Sequence, residues 1–104
     1  MDLNIKLTKP YVFEDNTYTE IDLTALENLN TNQLVEAERR FERGGGVSTL
    51  KEFDMKYACI VSSIATNKPV EFFLNLPARD GINLKNKVSA FFYSGISMSG
   101  VEKN

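Results

Sequence analysis

Few side chains in this 104-residue sequence could carry covalent chemistry, and their spacing argues for little of it. There is no histidine. That removes the commonest general base, the commonest metal ligand and every Ser–His or Cys–His nucleophile pair. Cys59 is the only cysteine, so neither an intramolecular disulfide nor a cysteine-based zinc cluster can form. Its neighbours Tyr57, Ala58, Ile60 and Val61 mark it as a small core residue in preference to a nucleophile. Glu14, Asp15, Glu20 and Asp22 are close in sequence but lack the spacing of a calcium loop. Arg39, Arg40 and Arg43 could meet a phosphate, yet Glu36, Glu38 and Glu42 interleave with them, as on a solvated, salt-linked helix face. Arg79 and Asp80 could form a functional ion pair. More simply, Asp80 falls in the first turn of a helix, where negative charge suits the helix dipole, and Arg79 faces solvent or pairs with a neighbour. The residues therefore read as a protein without catalysis, cofactor or metal.

What remains is apolar. Met55, Tyr57, Phe72, Phe73, Phe91, Phe92 and Tyr93 are the candidate partner-binding residues, since methionine and aromatic side chains suit adaptable apolar contact. The competing reading is that they are core, because apolar residues at helical spacing usually face inward. Phe72-Phe73 and Phe91-Phe92-Tyr93 stand out because adjacent helical residues cannot all point the same way, which leaves one of each group outward.

The elements that must position these residues can be read in order. Leu3, Ile5 and Leu7 alternate with polar residues, the period of a strand with one buried face. Lys9-Pro10 is expected to end it, since proline cannot donate to a ladder. Residues 11–22 read as a β-hairpin turning at Glu14-Asp15-Asn16, with 3–8 available as a third strand. Leu23, Leu26 and Leu29 suggest a helical turn pinning the sheet to the helices. Asn30 with Gln33 forms a capping box, and Leu34, Ala37 and Phe41 continue at helical spacing as far as the stop at Gly44-Gly45-Gly46. The triple glycine is the expected hinge. Thr49 with Glu52 offers a second capping box ahead of Phe53, Tyr57, Ile60, Val61 and Ile64. Pro69 and Pro77 stand where helices begin: a short one over 69–75 and a last one with Leu84, Val88, Phe91 and Phe92 on its apolar face.

The expected fold class is therefore α+β, a small N-terminal antiparallel sheet or hairpin followed by a helical body of three to four helices. A single domain is expected over 1–93, with sheet and connector at 1–29 and helices at 30–93, then a flexible C-terminal tail at 94–104. A core of this size leaves room for added stability from self-association. The net charge of −2 and pI near 5.1 argue against broad nucleic-acid binding. No segment approaches the roughly 18 apolar residues of a membrane span, and the first residues lack the pattern of a signal peptide, so a cytoplasmic protein is expected.

Three stretches in this order carry a resemblance. The first is Leu7-Thr8-Lys9-Pro10-Tyr11-Val12-Phe13-Glu14 with Tyr18-Thr19-Glu20-Ile21-Asp22-Leu23. The second is Leu29-Asn30-Thr31-Asn32-Gln33-Leu34-Val35-Glu36-Ala37-Glu38-Arg39. The third is Leu76-Pro77-Ala78-Arg79-Asp80 leading to Val88 and Phe91. Together they make the chain resemble the small tail assembly chaperones of long-tailed phages and prophages of Gram-positive bacteria. Gly81 departs from that pattern, which has a larger apolar residue after the Arg-Asp pair. The resemblance implies a non-enzymatic protein that coats and solubilises the tape measure protein during tail morphogenesis in the host cytoplasm and is absent from the mature virion. It further implies a longer, frameshifted form whose extension, attached near 94–104, would recruit tail tube protein. The alternatives are a small structural or adaptor subunit of the phage particle, or a DNA-binding regulator, which would need a basic recognition helix that the sequence does not offer.

Overall fold

The computed structural model describes residues 2–47 and 50–102, without the side chains of Glu52 and of residues 95–102. The fold is α+β: an N-terminal antiparallel hairpin followed by four helices. The hairpin pairs β1 (Asn4–Phe13) with β2 (Asn16–Asp22). Leu3, Ile5, Tyr11, Ile21 and Leu23 point inward, as the alternation requires.

The hairpin differs from the sequence expectation in one respect. Lys9-Pro10 does not end a strand, and residues 3–8 do not form a third; β1 runs through both. The pairs Lys6↔Glu20 and Tyr11↔Tyr18 bracket residues 7–10 on β1 but only Thr19 on β2. Pro10 thus sits in a bulge, outside the regular ladder, where its missing N–H costs nothing. Asp80 braces that bulge from the other end of the chain. The Thr8 N–H donates to Asp80 Oδ1 at 3.1 Å and the Thr8 hydroxyl to Oδ2 at 3.2 Å. The turn is the two residues Glu14 and Asp15, both at positive φ (48° and 68°), the geometry of a type I′ hairpin.

A 3₁₀ turn over Thr24–Asn28 buries Leu26 and leads to α1 (Thr31–Arg43). The expected capping box is formed in full: Gln33 N–H donates to Asn30 Oδ1, and Asn30 N–H to Gln33 Oε1, both at 2.9 Å. The glycines after α1 have defined tasks. Gly45 takes φ +87°, and its N–H donates to Glu42 O while that of Gly46 donates to Phe41 O, a Schellman stop. Gly46 lies against the Phe41 ring, where a Cβ would stand 2.6 Å from ring carbons.

The Thr49–Glu52 capping box lies outside the described residues. α2 (Met55–Thr66) begins later, after a 3₁₀ turn at Lys51–Phe53, and is capped by Asp54, whose carboxylate accepts from Lys56 N–H and Tyr57 N–H. It is the central helix, buried from Tyr57 to Ser63 and contacting α1, α3 and α4. Asn67 stops it in the left-handed conformation (φ 60°). Pro69 precedes α3 (Val70–Leu74) and Pro77 precedes α4 (Ala78–Glu102). The apolar pattern of the sequence fades near Tyr93, but the backbone of α4 stays helical to Glu102; residues 103–104 of the expected tail lie outside the described residues.

Phe72 joins the two parts of the fold. Tyr11, Phe13, Tyr18 and Phe73 all pack edge-on against its ring, at 4.9–5.3 Å between centroids. The Tyr11 hydroxyl donates to the Phe72 carbonyl at 2.8 Å. A two-stranded hairpin is marginal alone; here the aromatic cluster on α3 holds it.

Candidate functional site

α2, α3 and the first turns of α4 converge at the corner made by Leu76 and Pro77. A groove of about 500 Å³ opens between them. Its buried lining is Cys59, Phe73 and Leu76; its exposed lining is Met55, Leu74 and Ile82, at 43%, 50% and 45% exposure. Three half-exposed apolar side chains around one depression are more than the scattered apolar residues every surface carries. Proline is why the corner exists: Pro69 and Pro77 each break the helical ladder, so α3 lasts only five residues and the chain turns sharply on both sides of it. Gly81 also lines the groove, and a Cβ there would meet nothing within 4 Å. The departure from a larger residue at this position therefore leaves space open.

A second hollow of about 210 Å³ continues the surface toward α1, lined by Arg40, Lys56, Ile60, Ser63, Val70 and Leu74. Lys56 and Leu74 belong to both depressions. Lys56 Nζ donates to the Gly44 carbonyl at the end of α1, at 3.1 Å. Arg40 is held by Glu36, Nε to carboxylate at 2.8 Å, with Arg39 on the other oxygen at 2.6 Å. The Arg40 hydrogen bond, followed by the nearby positive charges, holds the Glu36 carboxyl below its ordinary range. Two of the three arginines of α1 are thus spent on Glu36, while Glu42 meets Lys51 beyond the helix at 3.7 Å.

The thiol in the groove wall is a poor nucleophile. Burial, and after it the Asp54 carboxylate, push the Cys59 thiol up to about 11, so at neutral pH it is a protonated, poorly nucleophilic thiol. Among the described residues no group of acidic or cysteine side chains could hold a metal ion, and no helix is long and apolar enough to cross a membrane. Asp80 is buried and committed to Thr8, while Arg79 is exposed. A third hollow, beside β2, is occupied on one wall by Lys68, whose ammonium lies over the Tyr18 and Phe72 rings at 5.0 and 5.2 Å.

The seven candidate residues do not form one surface. Met55 and Phe73 meet in the groove, Phe73 as buried lining. Phe72 is sealed inside the hairpin cluster. Tyr57 is buried between Phe41, at 5.7 Å, and Phe92, at 6.3 Å. Phe91 and Phe92 are half-buried, and Tyr93 is exposed and packs on Phe53 at 5.0 Å. Tyr93 is thus the outward member of its group, as the adjacency argument requires. The same argument fails for the other pair: Phe72 and Phe73 both point inward, and the exposed neighbour is Leu74. The groove residues that sequence reasoning passed over are Leu74 and Ile82. Ile82 carried a signal, since it lies off the Leu84–Val88 stripe of α4 and an apolar residue on the wet side of a helix needs a reason. The chain matches no known protein family, no curated protein and no solved structure.

Proposed function

We propose that this protein is a tail assembly chaperone of a long-tailed phage or prophage, a non-enzymatic protein that binds and solubilises the tape measure protein while the tail is built. The observation that carries the reading is the apolar groove of Met55, Leu74 and Ile82 over Phe73 and Leu76, taken with the three ordered stretches that resemble this family. A tape measure protein is long, helical and apolar on its faces. An apolar groove between helices takes such a segment by burying its i, i+3, i+4 and i+7 residues, the helix-in-groove mode. Several copies, each masking one stretch, would keep the partner soluble until tube subunits displace them. The site of action is the host cytoplasm, the mature virion lacks the protein, and a longer form would engage the tail tube protein through an extension beyond α4.

The test is co-expression with the tape measure protein encoded beside it. A soluble complex that co-purifies is expected, together with absence of this chain from purified virions by mass spectrometry. An insoluble tape measure protein and no complex would overturn the reading. Abundance in virions would instead favour the structural or adaptor subunit.

A further inference from the structure

We infer that the groove is selective for an amphipathic helix that carries a carboxylate beside its apolar stripe, and that Lys56 is the residue that reads it. The inference deepens the chaperone reading and rests on it. The argument is one of charge complementarity. The protein as a whole is acidic, with a net charge of −2, yet the charged side chains lining the two joined depressions are both cations, Lys56 and Arg40. They are not equivalent. Arg40 already holds the Glu36 carboxylate. Lys56 has a neutral partner, the Gly44 carbonyl, and among the described residues no carboxylate is paired with it. It also stands between two apolar surfaces, with Met55, Phe73 and Ile82 lining one depression and Ile60 and Val70 the other.

A partner helix long enough to lie along both depressions crosses the rim they share, which Lys56 and Leu74 form, and so passes beside the ammonium. If that helix is apolar throughout, the ammonium is stripped of water with only a carbonyl to compensate, which disfavours binding. If it presents an Asp or Glu at that point, the charge is met by a charge-assisted hydrogen bond in a partly dry setting, where such bonds are strong. The cation therefore disfavours uniformly apolar helices and selects those with an acidic flank. Gly44 contributes by leaving the ammonium room: a Cβ at that position would stand 3.0 Å from Lys56 Nζ.

The experiment measures the affinity of wild-type protein, Lys56→Met and Lys56→Arg for the co-purified tape measure protein, with thermal melting of each variant alone. Methionine keeps the apolar stem and loses the charge together with the exposed hydrogen bond to the Gly44 carbonyl, which the melting measurement accounts for. Weakening of about tenfold or more in Lys56→Met, with recovery in Lys56→Arg and unchanged melting, is the expected result. Equal or tighter binding by Lys56→Met overturns the inference while leaving the chaperone reading intact, because a purely apolar groove gains from losing a cation. Failure of the wild-type protein to bind at all overturns both, so the two failures are distinguishable.

Discussion

At the residue scale, two positions show how environment sets behaviour. Gly46 is required by proximity to Phe41 and not by backbone angle, since the added Cβ would sit 2.6 Å from the ring. Phe41 is 1% exposed and cannot swing aside. Gly46→Ala should therefore cost about 1–3 kcal/mol, as overpacking does, and more than Gly44→Ala, where the neighbour is the mobile end of Lys56; urea denaturation of the two variants would rank them. Cys59 makes the second case. A folded-state thiol pushed from 9.0 to about 11 holds its proton after the unfolded chain has lost it. The unfolded state then binds fewer protons, so stability falls as pH rises through that window, by up to about 3 kcal/mol. Cys59→Ala should flatten the fall in melting temperature between pH 9 and 11, and the slope that remains includes the contribution of Tyr11, whose hydroxyl burial raises.

At the scale of elements, the hairpin is the part most dependent on the rest. Its bulge leaves residues 7–10 without regular partners, and Asp80 supplies acceptors to Thr8 from the first turn of α4. The carboxylate that sequence alone assigns to the helix dipole is thus also a brace between chain segments 72 residues apart. The turn is built against preference: Glu14 and Asp15 occupy the left-handed region, where an Asn-Gly pair is favoured. The double substitution Glu14→Asn with Asp15→Gly should raise stability by about 1 kcal/mol. A lower melting temperature would mean that Glu14 or Asp15 makes a contact worth more than the backbone strain it imposes.

At the scale of the whole molecule, core and groove share one set of helices. α2 is buried from Tyr57 to Ser63 against α1, α3 and α4 and turns Met55 and Lys56 outward at its start, so the proposed docking surface would be held by the protein's most buried helix. Leu74→Asp with Ile82→Asp changes two half-exposed side chains. The pair should leave the melting temperature within a few degrees of wild type and abolish co-purification with the tape measure protein, because charges would then sit where an apolar stripe must dock. Phe73→Asp should instead unfold the protein, since Phe73 is 1% exposed. If the double variant still co-purifies, the groove is not the docking surface.

What the sequence determined by itself was local. The Asn30–Gln33 box, the proline-led starts of α3 and α4, the apolar spacing of α2 and the stop at the glycines each depend on residues within about four positions, so they are legible in a string of letters. The absence of histidine and the lone cysteine bounded the chemistry in the same way. Tertiary structure decided the rest. Pro10 lies inside a strand because a bulge and the distant Asp80 accommodate it. Phe72 and Phe73 both turn inward because the hairpin folds over one and α2 packs over the other. Leu74 and Ile82, eight positions apart with a corner between them, share a groove. Which face of an element is covered depends on segments tens of residues away, and no local pattern of apolar spacing states which segment will do the covering.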